Sequence, residues 1–314
     1  MGGLLVRQLL HQRHDVVAFA RPTSDVSELR RLGVPVVTGS LLDGEGLREG
    51  LTDVDAVAHL AGGGKVVSND DFFRQNTVTT ERLVDAIATH RPGLSRLVHV
   101  SSLSAHGPSF DGKPRDPTSL CAPASNYGHS KLLAERAVLH RHRQFPVTIM
   151  RPPAVYGPGD TRLLPLFRTI ARFGVIPTLG HQRLSVVWGP DCARAIAKAL
   201  IADTPSGRAY VVDDGNIYTA LQLGYYIAGA LNRRAWELPI SPHLMSLVGW
   251  LNHQQARVRG TAVALTFDKV VDMRQPNWVC DSRRTHDELG WKPTTELVDG
   301  LAQTARWYRQ RGWL

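Results

Sequence analysis

A doubly wound, parallel α/β sheet with a smaller, mostly helical annex is the fold this sequence predicts, and three observations predict it. Short apolar runs alternate with amphipathic stretches through the first half of the chain, the rhythm of successive βα units. The runs are followed by Gly, Ser, Arg or Pro, as buried strands are when they break into a turn. The length of 314 residues suits two unequal lobes rather than one core.

The elements follow in order. "GGLLVRQLL" reads as a helix that starts almost at the initiator Met, without the Ser, Thr, Asp or Asn that usually caps one. "DVVAFA" (15–20) is a short buried strand, followed by a helix over 24–33. "VPVVTG" (34–39) is a strand, "GEGLREGL" a short helix, and "VDAVAHLAG" (54–62) a strand ending in glycine. Residues 69–90 carry apolar and small side chains at helical spacing, and "SRLVHVSS" (95–102) is again a strand. A helix over 125–143 opens at Ser125 or Asn126 as cap, and "FPVTIMRP" (145–152) is the next strand. "AYVVDD" (209–214) adds one more strand, and 216–314 is mostly helical. Strand and helix alternating at this length imply right-handed crossovers, and ligands in such sheets bind beyond the carboxyl ends of the strands. That rule singles out Arg21, Ser40, Gly62 to Gly64, Ser101 to Ser104, and Pro152 to Tyr156.

Composition narrows the function classes. Lys and Arg outnumber Asp and Glu by 37 to 28, a net charge of +9, yet the basic pairs are scattered and no basic-aromatic stripe appears, so nucleic acid is not expected as a partner. An anionic cofactor or a phosphorylated substrate accounts for part of the surplus. Cys121, Cys192 and Cys280 are far apart without C-x-x-C spacing, which predicts reduced thiols, no metal site and a cytoplasmic protein. Arg7, Gln8, His11, Arg13 and His14 interrupt any signal-peptide core, and Val6 stands where myristoylation wants Ser or Thr. The apolar run "LMSLVGWL" (244–251) is too short to span a bilayer and is expected in the core or in a substrate-pocket wall.

Chemistry concentrates on the helix after the fourth strand run. Tyr127 and Lys131 are four apart, so they share one helix face a turn from each other. A phenol beside an ammonium has its ionised form favoured, which suits it to proton transfer. The pair alone is a weak motif, because chance produces it readily. Ser102, at the end of a buried strand, falls at the same rim of the sheet, where its hydroxyl can hydrogen-bond a substrate oxygen.

With those residues in place, "DAVAHLAG", "NTVTTERLVDA", "LVHVSSLSAHGP", "SNYGHSKLLAE", "MRPPAVYGPGD" and "DELGWKPTTELVDGLAQTARWYRQRGW" together resemble the extended short-chain dehydrogenase/reductases, the superfamily of NAD(P)-dependent epimerases/dehydratases and 3β-hydroxysteroid dehydrogenase-like enzymes. The resemblance implies an NAD(P)-binding Rossmann domain over 1–155 and 184–215 and a substrate domain over 156–183 and 216–314. It implies that Tyr127 is the general acid/base, that Lys131 holds the nicotinamide ribose, and that Ser102 orients the substrate oxygen. Leu60, Ala61 and Gly62 then pass the cofactor, Asn76 is the family asparagine of the preceding helix, Pro152 and Val155 meet the nicotinamide amide, and Ser40 and Leu41 lie towards the adenine. Arg21, where NAD-preferring relatives often carry an acid, favours NADP over NAD slightly by offering a partner for a 2′-phosphate.

The resemblance also exposes departures. Family members open on a strand and a glycine motif, of which only Gly2 matches the last glycine, so a sheet short of its first strand and weak cofactor binding are expected. Tight stoichiometric NADPH binding by the 314-residue chain would contradict that expectation. Ser40 stands where an Asp commonly meets the adenine. Ser102 is followed by Leu103 and Ser104 rather than the Asp-Glu pair of 4,6-dehydratases, which disfavours sugar dehydration. The expected activity is oxidoreduction of a ketone or secondary alcohol on a small, less polar substrate. A nucleotide-sugar epimerase using Arg162 and Arg183 for the diphosphate, and a non-catalytic cofactor-binding protein, are the alternatives. A homodimer is allowed, and nothing in the sequence fixes the oligomer.

Overall fold

The computed structural model describes residues 1–63, 66–259 and 266–314; Gly64 among the strand-end residues lies outside them. Helix α1 (Gly2–His11) has Met1 as its N-cap, a residue with no oxygen to offer, and is anchored by buried Leu5. Strand β1 (Ala18–Ala20), α2 (Ser27–Arg31), β2 (Val36–Thr38), α3 (Leu47–Gly50) and β3 (Ala56–His59) follow, each strand shorter than the apolar run that predicts it. The helix expected over 69–90 is one continuous body of three parts: α4 (Asp70–Phe72), a π-helical stretch (Phe73–Val78) and α5 (Thr79–His90). Then come β4 (Arg96–Val100), α6 (Leu103–His106), α7 (Asn126–His140), β5 (Val147–Arg151), β6 (Ala154–Tyr156), α8 (Leu164–Phe173), β7 (Val175–Thr178), β8 (Arg183–Leu184), β9 (Val186–Trp188), α9 (Gly189–Ile201) and β10 (Arg208–Val211). The remainder is β11 (Tyr218–Thr219), α10 (Ala220–Leu231), β12 (Trp236–Pro239), α11 (Pro242–Arg259), α12 (Phe267–Met273), β13 (Asn277–Trp278), α13 (Arg283–Leu289) and α14 (Leu297–Gln310).

Four strands form a parallel ladder in the order β10-β5-β4-β3. Their alternate side chains serve two layers. Val98 and Met150 point to the layer of α1 and α9, where they meet Leu5, Cys192 and Ile196. Leu97 and Val147 point the other way, to Leu83 and Ile87 of α5 and Val138 of α7. Burial on both faces is why these runs are continuously apolar rather than alternating. Strands β1 and β2 pair in parallel with each other, and among the described residues no ladder joins them to β3.

A second core gathers Phe167 and Ile170 of α8, Ile176 of β7, Leu223 and Ile227 of α10, and Leu301 and Tyr308 of α14. The run 244–251 corrects an expectation, because it is not core. It lies on α11 with Leu244, Leu247, Val248, Trp250 and Leu251 all exposed. The physical reason is Gly249, the buried residue of that run: a Cβ there would stand 2.7 Å from Val270 Cγ2. Seating the helix on α12 through a glycine turns its large neighbours outward. Among the described residues no helix is long and apolar enough to cross a membrane.

Candidate active site

Helix α7 presents the two residues that the spacing paired. Ser125 is its cap: the backbone there is extended and the hydroxyl accepts from Gly128 N at 3.1 Å. A second device fixes the same end. Buried Asp268 of α12 accepts from Asn126 N at 2.7 Å, Asn126 Nδ2 at 2.9 Å and Tyr127 N at 3.1 Å, placing a carboxylate at the positive end of the helix. Gly128 sets how closely α7 approaches α6, since a Cβ would lie 2.5 Å from Ser104 O. The absence of a side chain at that one position brings Tyr127 up to the Ser102–Ser104 turn.

Tyr127 is half-buried, with the ring of Phe72 packed edge-on at 5.9 Å. One turn later Lys131 is 4% exposed, and its Nζ donates to Val100 O, the last carbonyl of β4, at 2.9 Å. Burial pulls its ammonium down to about 8; Glu135 opposes that and Arg162 adds to it. Glu135 is one turn further along the same face. It is 1% exposed and clamped by Arg151 at the end of β5, Nε to Oε1 at 3.0 Å and Nη2 to Oε2 at 2.7 Å. Thus Tyr127, Lys131 and Glu135 form one stripe, open to solvent at the first and buried at the last.

Asn76 sits in the π-helical stretch, 1% exposed. Its Oδ1 accepts from Gly63 N at 3.1 Å, and its Nδ2 donates to Gly63 O at 3.2 Å and Ser130 Oγ at 3.0 Å. Gly62 is closer still: a Cβ there would lie 2.6 Å from Asn76 Oδ1 and 3.7 Å from Lys131 Nζ. The loop of Leu60, Ala61 and Gly62 after β3 therefore runs beside Asn76 and Lys131. A π-helical turn widens the spacing of the backbone and turns its side chains out of the ordinary register, a common device at functional sites.

Ser102 caps α6, accepting from Ser104 N at 3.1 Å, which leaves its own O–H to donate elsewhere. Leu103 N donates to Pro152 O at 2.9 Å, so the turns after β4 and β5 are tied together and Pro152 joins the same rim. Val155 of β6 pairs in register with Val187 and packs on the core layer of α1 and α9. Gly2 opens α1; the Met1 amine before it is lowered by burial, with Cys192 opposing and Arg162 adding, so Arg162 bears both on this helix end and on Lys131.

Arg21, Ser40 and Leu41 belong to the β1-β2 pair and are not drawn into this cluster by any ladder. Arg21 is exposed just past β1, Ser40 Oγ donates to Asp43 Oδ2 at 2.7 Å, and Leu41 packs on the α3–α5 core. Of the alternative diphosphate ligands, Arg162 is exposed while Arg183 Nη1 is spent on Gly112 O at 3.0 Å. Glu135, Arg151 and Asp268 are contributors that sequence reasoning missed. Glu135 carried a signal, the continuation of the four-residue period from Tyr127 and Lys131; Asp268 carried none.

A Tyr and a Lys on one helix face, a strand-end Ser at its foot and an Asn-held glycine loop now stand together, and residues 1–213 match the family model described as NAD dependent epimerase/dehydratase. The chain belongs to that family. It is an extended short-chain dehydrogenase/reductase-type enzyme, and its sheet has the parallel, helix-covered form of the epimerase/dehydratase structures. A ceramide reductase of Caulobacter vibrioides is 29% identical, covering 91% of this chain and 84% of its own. The sterol demethylase protein B of Methylococcus capsulatus is 29% identical, covering 99% and 96%. A UDP-glucuronic acid 4-epimerase from Bacillus cereus, solved with UDP-glucuronic acid and NAD, superposes with a TM-score of 0.79 at 20% identity over 99% and 96% of the two chains, a likeness of fold.

Proposed function

We propose that this family member is an NAD(P)-dependent oxidoreductase that interconverts a ketone and a secondary alcohol on a small apolar substrate. The observation that carries the reading is the placement of buried Lys131, one turn from half-buried Tyr127 and beside the Asn76-held glycine loop. The residues present fit a nicotinamide dinucleotide. Only a bare backbone can pass Asn76 at Gly62, and Lys131 uses a proton on Val100 O while an ammonium has three, leaving donors for a ribose diol.

In this reading Lys131 holds the ribose, the backbone of Leu60, Ala61 and Gly62 passes the cofactor, Asn76 fixes that loop, and Pro152 and Val155 present backbone groups to the nicotinamide amide. Gly2 lies at the pyrophosphate, Ser40 and Leu41 towards the adenine, and Arg21 favours a 2′-phosphate, hence NADP over NAD. When bound, the dinucleotide would supply the hydride that reduces the carbonyl. Ser102 donates its free O–H to the carbonyl oxygen and aligns it. Tyr127 gives that oxygen its proton, and in the reverse direction takes it back. Residues 1–155 and 184–215 form the cofactor unit and 156–183 and 216–314 the substrate unit. The separate core of α8, α10 and α14 supports this division, while Leu289 and Trp291 pack back onto the first core.

Two features favour an apolar ketone over a sugar nucleotide. Ser102 is followed by Leu103, itself buried, where a dehydratase would carry acids, and Arg183 is already engaged. The names of two of the curated relatives, a ceramide reductase and a sterol demethylase protein, point the same way. The test compares oxidation of NADPH and of NADH with a panel of long-chain and cyclic ketones, cofactor being raised until the rate saturates, against epimerisation of UDP-sugars. Ketone-dependent NADPH oxidation is expected; UDP-sugar epimerisation without ketone turnover overturns the assignment in favour of an epimerase.

A further inference from the structure

The outward face of α11 has no part in the site above, and among the described residues nothing covers it. Leu244, Leu247, Val248 and Leu251 follow the i, i+3, i+4, i+7 rule of a single helical stripe, with Trp250 beside it, and are exposed by 56%, 52%, 39%, 51% and 48%. Phe267, which opens the α12 packed against α11, is 45% exposed, and β12, the strand before α11 in the chain, exposes Trp236 and Leu238 at 70% and 49%. Soluble chains rarely leave so many large apolar side chains together.

The charge around the stripe has one sign. Residues 238–267 contain no Asp or Glu. Arg233, Arg234, Arg259 and Arg274 are exposed, and Arg274 reaches α11 itself through Ser246 Oγ at 3.3 Å. The nearest carboxylates are inward or engaged: Asp268 and Asp272 are buried, and Glu237 accepts from Thr178. A protein partner would need an acidic rim matched to these cations, whereas an anionic bilayer offers hydrocarbon beneath and negative charge above in one surface. Trp250 and Trp236 are the side chains that settle at such a boundary. No described helix can cross a membrane, so the surface would lie along the headgroups rather than span them.

We propose that the α11 stripe and its arginine rim form a docking surface for an anionic lipid bilayer. The proposal is independent of the reaction assigned above. Each exposed leucine adds apolar burial and each rim cation adds attraction to anionic headgroups, so binding depends on both and weakens with salt.

The test is co-sedimentation of the full chain with phosphatidylcholine vesicles and with vesicles that also contain phosphatidylglycerol, at low and high salt. The chain is expected to pellet with the anionic vesicles and to stay in solution with the neutral ones. The pair Leu247→Asp and Leu251→Asp is expected to weaken anionic-vesicle binding by about tenfold or more, with the circular dichroism spectrum and melting temperature unchanged. Trp250→Phe is expected to reduce a blue shift in tryptophan emission on vesicle addition, Trp236 supplying the remainder. Failure to pellet with anionic vesicles overturns the proposal, as does binding unaffected by the double replacement. A chain that is dimeric in solution and becomes monomeric on that replacement overturns it too, since a second copy then covers the stripe.

Discussion

Lys131 is buried in a sheet–helix seam where an ammonium is costly, and it stays there because Val100 O and the Glu135 carboxylate face it. Its ionisation has a definite sign. Folding lowers the ammonium from 10.5 to about 8, so the penalty is absent above 10.5 and complete below about 8. Measured without cofactor by urea unfolding, the stability difference between Lys131→Met and the parent chain should favour the variant at neutral pH. It should shrink as pH rises from about 8 towards 10, by at most ~1.4 kcal/mol per pH unit. A pH-independent difference contradicts the burial argument. Gly62 sets a second constraint at this scale. Gly62→Ala drives a methyl against Asn76 Oδ1, an overpacking of about 1–3 kcal/mol. It should raise the KM for the dinucleotide by about tenfold or more and lower the melting temperature by a few degrees, because the displaced Asn76 is buried.

At the scale of elements, α7 is held at both ends by partners distant in sequence. Asp268 fixes its start, and the Arg151–Glu135 pair bolts its third turn to β5, with Arg151 also donating to Pro117 O at 3.0 Å. Removing one member of a buried pair strands the other, so Arg151→Met should cost about 3–5 kcal/mol in urea unfolding, and adding Glu135→Leu should restore part of that loss. Strands and helices of the first half were legible because burial on both faces writes continuous apolar runs, and "SRLVHVSS" could be little else. Tyr127, Lys131 and Ser102 were legible for the same reason: one helical turn and one strand end place them. Asp268 was not, because 141 residues separate it from Tyr127 and nothing local marks a carboxylate as a cap for another helix. Nor was the orientation of 244–251. An apolar run says that burial is favourable somewhere, and the glycine that turns it outward acts through α12.

At the scale of the whole molecule, the parallel strands fall into two ladders, β1-β2 and β3-β4-β5-β10, and the candidate site lies beyond the carboxyl ends of the second, as the strand-end rule requires. The helical remainder closes over the site through α12, which touches α7 directly, and carries the apolar stripe on its outer side. Arg21 and Ser40 ride on the smaller group, so any discrimination between NADP and NAD depends on how that pair sits against the rest. Arg21→Asp should shift the ratio of kcat/KM for NADPH over NADH downward without altering the ketone preference.

The central claim is that Ser102 and Tyr127 act on one substrate oxygen while Lys131 holds the nicotinamide ribose and the nicotinamide delivers hydride. Turnover of an accepted ketone with NADPH deuterated at the transferring C4 position tests it most directly, the product being read by mass spectrometry for the parent chain and for Tyr127→Phe. The account predicts deuterium on the carbinol carbon with the parent, and loss of turnover with unchanged NADPH affinity for the variant. Alcohol formed without deuterium, or undiminished turnover by Tyr127→Phe, contradicts it.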